Sequence, residues 1–310
     1  MKWLIGVLVV LAALAGLAWF ALLDANGPAR AEGQFDLAAY RALVAGDAPQ
    51  TLPSEVRVQF VGSSEAPGFA AEAGGFGGNR TFTYNSFEIV SPSGNTIIDG
   101  AVDQATLTQM SDGKGHFDAA AYSRVLDAMT RAAHVMITHE HLDHVMALAR
   151  HPTPAAIAPR LVLTRAQLDG LPQHAPSGQL APEIAAVQPA DLTAPTRIAP
   201  GVVAQAAPGH SAGTIVIYVR GAQREYLFIG DIAWVMDSVR DVRGRPRLVH
   251  WLMSGVDPDR PAVLRQLRAL HDMAAAEPDL VLLPAHDDPY LRGLVSNGVL
   301  GEGFLAPPAN

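Results

Sequence analysis

The eight residues Ile137-Thr138-His139-Glu140-His141-Leu142-Asp143-His144 place three imidazoles and a carboxylate in an H-x-H-x-D-H spacing. They follow a short apolar run at 135–137, which reads as a strand. Neutral imidazole nitrogens and carboxylate oxygens suit zinc, iron or manganese. His139 and His141 are two apart, so in extended backbone they leave the chain on the same side. Asp143 and His144 are adjacent and must diverge, which suits two metals better than one. The bland alternative is a polar loop that is rich in histidine by accident. It loses weight because later strands also end in His or Asp.

Those later ends define the fold problem. Strands are expected at 56–61, 81–90, 96–98, 133–138, 161–163, 202–206, 214–219, 226–229 and 280–283. Asp99-Gly100 closes the third. Ala207-Pro208-Gly209-His210 follows the sixth, Gly230-Asp231 the eighth, and Pro284-Ala285-His286-Asp287 the last. One edge of a sheet system is thereby loaded with donors from distant parts of the chain. Helices are expected at 35–44 and 117–131, with Asp36 and Asp118 as caps, and at 142–150, 165–171 and 257–273. The glycine-rich stretch 62–80 lacks the Gly-Lys-Ser/Thr of a phosphate loop. It reads either as a mobile flap with Phe69 or Phe76 on substrate, or as a solvated loop. Residues 172–192 read as an insertion or cap.

A net charge of −8 with 22 Lys and Arg, and no basic block, argues against a nucleic-acid partner. The absence of cysteine excludes disulfides, thiolate ligands and a Cys nucleophile. Residues 3–23 carry no charge over 21 positions. As a helix they would span about 31 Å, close to a bilayer core. Lys2 ahead of them favours export of the remainder. The expectation is a membrane anchor with the catalytic domain on the outer, periplasmic side. The alternative is a signal peptide cut at Ala29-Arg30-Ala31, and a buried helix of a soluble domain comes third. The domain plan is 1–24 anchor or signal, 25–54 linker and short helix, and 55–310 catalytic domain.

From 56 to 290 the ordered motifs resemble the metallo-β-lactamase superfamily. They are Asp99, the His139-x-His141-x-Asp143-His144 cluster, His210, Asp231 and His286. The resemblance implies an α/β fold, a four-layer αββα sandwich of two mixed sheets with helices outside, here preceded by an N-terminal hydrophobic helix. It also implies that His139, His141 and His210 hold one divalent metal ion and that Asp143, His144 and His286 hold a second. Asp231 would bridge the two, and Asp99 would orient a ligand histidine. Zinc is the first expectation, with iron or manganese as alternatives. Many members carry glycine just after the histidine cluster, where this chain has Val145-Met146-Ala147.

The implied chemistry is hydrolysis by a water or hydroxide shared between two metals, with Asp143 as a secondary proton relay. The His-Ser-Ala-Gly turn and His286-Asp287 look like those of lactonase-type members. The expected substrate is therefore a small molecule, a lactone or other small carboxylic ester. Alternatives are a β-lactamase-type amide hydrolase, disfavoured by Asp231, and a mononuclear iron sulfur dioxygenase. A nuclease is disfavoured by charge and location, and a metal-free binding module by the intact donor set. Trp234 and Tyr290 are candidate substrate contacts, Tyr290 as an oxyanion donor, and His250-Trp251 is a weaker one. His116, His134, His151, His174 and His271 match no motif and read as surface or core residues.

Overall fold

The computed structural model describes residues 2–75 and 77–306; Phe76, one of the two expected flap contacts, lies outside them. The chain opens with a helix, α1 (Lys2–Ala18), continued by a π-helical turn at Trp19–Leu23. No residue of either is buried, so this is not a core helix of the chain. The next stretch, read above as a linker, is docked on the fold. Ala25 is buried, and Gly27 N donates to the Val242 carbonyl at 2.8 Å while Gly244 N donates to that of Ala25 at 2.9 Å. Then α2 (Leu37–Leu43) starts at Asp36, whose side chain accepts from Ala39 N.

The remaining elements follow in order. β1 is Glu55–Pro67, β2 Asn79–Val90, β3 Thr96–Ile98, α3 Gln104–Met110, β4 His116–Phe117 and α4 Ala119–Arg131. β5 is His134–Met136, α5 Leu142–Ala149, α6 Pro154–Ile157, α7 Arg165–Gly170 and α8 Pro182–Ala185. β6 is Thr196–Ala199, β7 Val202–Ala206, β8 Ile215–Arg220 and β9 Glu225–Gly230. α9 is Met236–Asp241, α10 Arg247–Leu252, α11 Arg260–Ala276, β10 Leu280–Pro284, α12 Asp288–Ser296 and β11 Gly301–Glu302.

The strands form two mixed sheets. One runs β11-β1-β2-β3-β5 with β4 on β1, the other β10-β9-β8-β7-β6. Their inner faces meet through Val58, Phe87, Ile89 and Ile98 on one side and Val202, Ile217, Phe228 and Leu283 on the other. Phe87 and Phe228 touch edge to face with ring centroids 5.2 Å apart. The outer face of the first sheet is covered by Val125, Met129, Val145 and Leu148 of α4 and α5. That of the second is covered by Tyr40 of α2 and by Val263, Leu267 and Leu270 of α11. Alternation along β8 drives this layering: Ile217 packs between the sheets and Tyr218 packs under α11 and α2. The result is the expected four-layer αββα sandwich.

Several expectations need correction. Within 62–80, residues 62–67 and 79–80 are strand, because β1 and β2 pair from Glu55↔Val90 to Pro67↔Asn79 with a register shift at Phe60/Gly62. The remaining connection is pinned down: Ala73 N donates to the Gly244 carbonyl, Ser238 Oγ to that of Ala71, and Arg80 pairs with Asp237. Ala71 packs with Phe82, Val235 and Trp234. Residues 71–73 are thereby buried against the body of the fold, while 74 and 77–79 are exposed. Residues 161–163 make one isolated bridge, Val135↔Leu161, rather than a strand. The 172–192 stretch reaches the histidine cluster, where His174 Nε2 donates to the Glu140 carbonyl at 2.9 Å. Its Ile184 joins the core over the first sheet, behind α5.

Candidate metal centre

The donors converge at the ends of strands. After β5 the chain leaves the sheet through Thr138 and turns at His141, which stands at the N-terminus of α5. His210 lies on the β7–β8 turn, Asp231 directly after β9 and His286 just after β10. Gly230 lets Asp231 reach the cluster. It has φ +49°, and a Cβ there would sit 2.8 Å from Thr138 Cβ.

Two groups of ligand atoms result, and in each the atoms lie within 4.8 Å of one another. The first is His139, His141, His210 and Asp231, the second Asp143, His144, His286 and Asp231. In the first, His210 Nε2 is 3.0 Å from His141 Nδ1. Asp231 Oδ2 is 3.4 Å from His210 Nε2 and 3.7 Å from His139 Nε2. In the second, His144 Nε2 and His286 Nε2 are 3.2 Å apart. Asp231 Oδ1 is 3.3 Å from the former and 3.0 Å from the latter, and Asp143 Oδ2 is 3.3 Å from His286 Nε2. The two oxygens of Asp231 thus face different groups.

The other ring nitrogens are occupied from behind. His144 Nδ1 is 3.0 Å from Asp99 Oδ2, His210 Nδ1 2.7 Å from Asp257 Oδ1, and His286 Nδ1 donates to the Thr83 carbonyl at 2.9 Å. Such partners fix the tautomer and aim the opposite nitrogen's lone pair at the centre. Asp99 is itself held in a left-handed turn, φ 63°. It accepts from Thr138 N at 2.6 Å and from Thr138 Oγ1.

Two buried atoms at the centre have no hydrogen-bond partner, His139 Nε2 and Asp231 Oδ1. A buried polar atom without a partner is costly, and these two aim into the first and second groups respectively. A divalent cation in each group satisfies both, so the residues present fit a pair of metals. The protein's own charges divide the imidazoles: burial opposes charge on His210 and His286, but facing carboxylates outweigh it and raise both, whereas His139 and His141 are lowered. Burial, together with charge on His144, holds the His139 imidazole well below its usual range. Burial, then His210, brings His141 down to about 4. A lowered imidazole pKa favours the neutral form that a metal ligand needs. Burial opposes charge on His144 as well, but Asp99 and Asp231 outweigh it and raise it. Burial likewise opposes charge on Asp231, yet the surrounding imidazoles keep it well below the usual carboxylate range.

The two candidate substrate contacts differ in where they sit. Trp234 Nε1 donates to Asp231 Oδ2 at 2.7 Å, so its polar edge steadies that carboxylate. Tyr290 is a correction: its hydroxyl donates to the Leu282 carbonyl at 3.1 Å and its ring packs into the core. Four residues past His286 lies inside α12, whose turn carries the ring away from the donors. Trp251, the weaker candidate, is exposed at the end of α10.

Sequence reasoning missed four contributors. Arg245, fully buried, forks onto Asp257 at 2.5 and 2.8 Å and donates to the Asp231 carbonyl at 2.9 Å. It also lies 4.9 Å over the Trp234 ring. Asp257 reads in sequence as the start of a helix, but α11 is capped by Asp259. Glu140 ties the cluster to the His210 turn by accepting from Ser211 Oγ at 2.8 Å and Gly213 N at 3.1 Å. Gly213 is the residue that admits it, because a Cβ there would lie 2.4 Å from Glu140 Oε2. Tyr84 stands edge-on to His286 at 5.5 Å. Burial, then Asp143, pushes its hydroxyl up to about 12.

The profile of the metallo-beta-lactamase superfamily matches residues 80–286. No curated protein matches the chain. Among solved structures, an N-acyl homoserine lactone hydrolase with product at its catalytic metal centre is 12% identical with a TM-score of 0.56. The match covers 78% of this chain and 96% of that one. A probable metal-dependent hydrolase from Staphylococcus aureus is 14% identical with a TM-score of 0.55, over 76% and 90% of the two chains. A dizinc quorum-quenching lactonase is 13% identical with a TM-score of 0.50, over 76% and 88%. At these identities the likeness is one of fold.

Proposed function

The chain belongs to the metallo-β-lactamase superfamily, and on that premise we propose that it is a dinuclear metal-dependent hydrolase of a lactone or other small carboxylic ester. The observation that carries this reading is Asp231, whose two oxygens face two separate donor groups. His139, His141 and His210 would hold one cation, Asp143, His144 and His286 the other, and Asp231 would bridge them. Two such cations, zinc first and iron or manganese as alternatives, would supply Lewis acidity and lower the pKa of a water toward neutrality.

The chain's own part is orientation and exclusion of water. Asp99, Asp257 and the Thr83 carbonyl aim three imidazoles, and Trp234 steadies the bridging carboxylate. Asp143 is the least buried of the donors in its group. It is therefore the carboxylate that incoming substrate meets, and a proton relay there is a secondary role. The lactone preference draws on the lactonase-like fold and on the His210-Ser211-Ala212-Gly213 turn.

The reading of the N-terminus is an uncleaved anchor, with the catalytic part on the outer side. Cleavage after Ala31 would remove Asp24 to Pro28. These residues are built into the fold through Gly27, Ala25 and the Pro28 carbonyl, which accepts from Arg268 at 3.0 Å. Mass measurement of the membrane-extracted protein tests this directly.

Function is tested by metal analysis and a substrate panel. About two metals per chain are expected, as a two-metal site requires, with turnover of lactones over β-lactams, thioesters and phosphotriesters. A single iron with persulfide oxidation would replace this reading by a dioxygenase, and selective β-lactam turnover by a β-lactamase.

A further inference from the structure

Outside the N-terminal helix, the large hydrophobic side chains exposed among the described residues are Leu43, Met110, Trp251, Leu252, Met253 and Leu305. Half of them are consecutive. Trp251 and Leu252 end α10, Met253 follows them, and the three are 78%, 73% and 46% exposed. A contiguous apolar tip of this kind normally marks a contact.

Its position says with what. α10 lies against the end of the N-terminal helix, where the Arg247 guanidinium sits 4.9 Å over the Phe20 ring and 3.6 Å from Asp24 Oδ2. Arg260 donates to the Asp24 carbonyl. Just before α10, Arg243 bridges Asn26 in the segment leaving that helix. The triplet therefore stands beside the point where an anchored chain emerges from the bilayer. Trp19, exposed near the end of the helix, marks the depth that tryptophan favours, the headgroup zone. Arg247 suits the phosphates of that zone.

We propose that Trp251, Leu252 and Met253 form a second membrane contact, inserted into the headgroup region of the leaflet from which the catalytic part emerges. This rests on the retained-anchor reading. The contact fixes how the enzyme sits on the membrane, because the segment following it is tied to the metal centre. His250 Nδ1 donates to the Val256 carbonyl, and the next residue, Asp257, holds His210. The edge carrying the histidines is thereby held close to the bilayer surface, which favours substrates that partition into lipid.

The chain has no cysteine, so a single introduced one can be labelled uniquely. The full chain carrying Leu252→Cys, Ser177→Cys or Leu11→Cys is labelled with an environment-sensitive fluorophore. It is then reconstituted into phosphatidylethanolamine–phosphatidylglycerol vesicles with and without nitroxide lipids. The expected result is emission at 252 at least halved by headgroup-proximal nitroxide, with 177 unaffected and 11 quenched by acyl-chain nitroxide. Quenching at 11 without quenching at 252 overturns this inference alone. A label at 252 that is shielded from water yet insensitive to nitroxide, as in a contact between two copies, also overturns it. Lack of quenching at 11 overturns the anchor reading, and this inference with it.

Discussion

Replacing Asp257 by Asn should weaken both the fold and the first metal group, by amounts the structure sets. Asp257 and Arg245 are each almost fully buried and joined by two hydrogen bonds at 2.5 and 2.8 Å. Burial works against the Asp257 charge, but Arg245 and then His210 hold its carboxyl far below the usual range. Removing the charge leaves a buried guanidinium uncompensated, which costs about 3–5 kcal/mol. At roughly 2–4 °C per kcal/mol for a domain of this size, Tm should fall by about 6–20 °C. The asparagine oxygen can still accept from His210 Nδ1, so the ring stays roughly in place but loses its anionic partner. Loss of such a partner lowers metal affinity about 10–100-fold.

Calorimetry of the full chain in detergent, before and after chelation, reads the first effect; competition against a calibrated zinc chelator reads the second. Arg245→Met in the Asp257→Asn background should recover part of the stability, since the orphaned charge is then gone. It should not recover the zinc affinity. The reasoning fails if Asp257→Asn melts within a degree or two of the parent and holds zinc as tightly.

Three further outcomes follow from individual contacts. Glu72 is buried near Asp241 and Arg243, and burial first, then Asp241, raises its pKa from 4.5 to about 7. A raised folded pKa gives stability that is full below the unfolded value and lost as pH rises through about 7, so Glu72→Gln should be neutral near pH 4 and stabilise by about 1–3 kcal/mol at pH 8. Denaturant melts across that range check it; an equal effect at both ends contradicts it. Gly230→Ala should cut metal content and turnover together, because its Cβ meets Thr138 at 2.8 Å with φ +49°; full zinc occupancy in the variant would argue against that. Leu267→Ala, in the layer between α11 and the second sheet, should cost about 2–5 kcal/mol with metal content unchanged, measured by melts and elemental analysis.

Much of this architecture is written in local pattern. Short apolar runs in 202–206 and 214–219, and Asp caps at 36 and 118, specify elements that depend mainly on neighbouring residues. The donors were legible because each ends an apolar strand. Residues whose role comes from distant contacts were not. Asp257 looks like a helix cap until Arg245 and His210 are seen beside it. Tyr84 is one aromatic in an alternating strand until His286 arrives from the other sheet. The long hairpin was missed because Ser63, Ser64 and Glu65 lack an apolar alternation, and their order comes from pairing with 81–83. Tyr290 was misassigned because the helix that turns it inward, α12, was not foreseen.

The claim on which the rest depends is that Asp231 stands between two cations. Anomalous scattering at the zinc edge, from crystals of the full chain grown with zinc, measures this directly. The account predicts two peaks about 3.5–4 Å apart, one beside His139, His141 and His210, the other beside Asp143, His144 and His286, with an Asp231 oxygen on each. A single peak, or peaks away from these side chains, would contradict it.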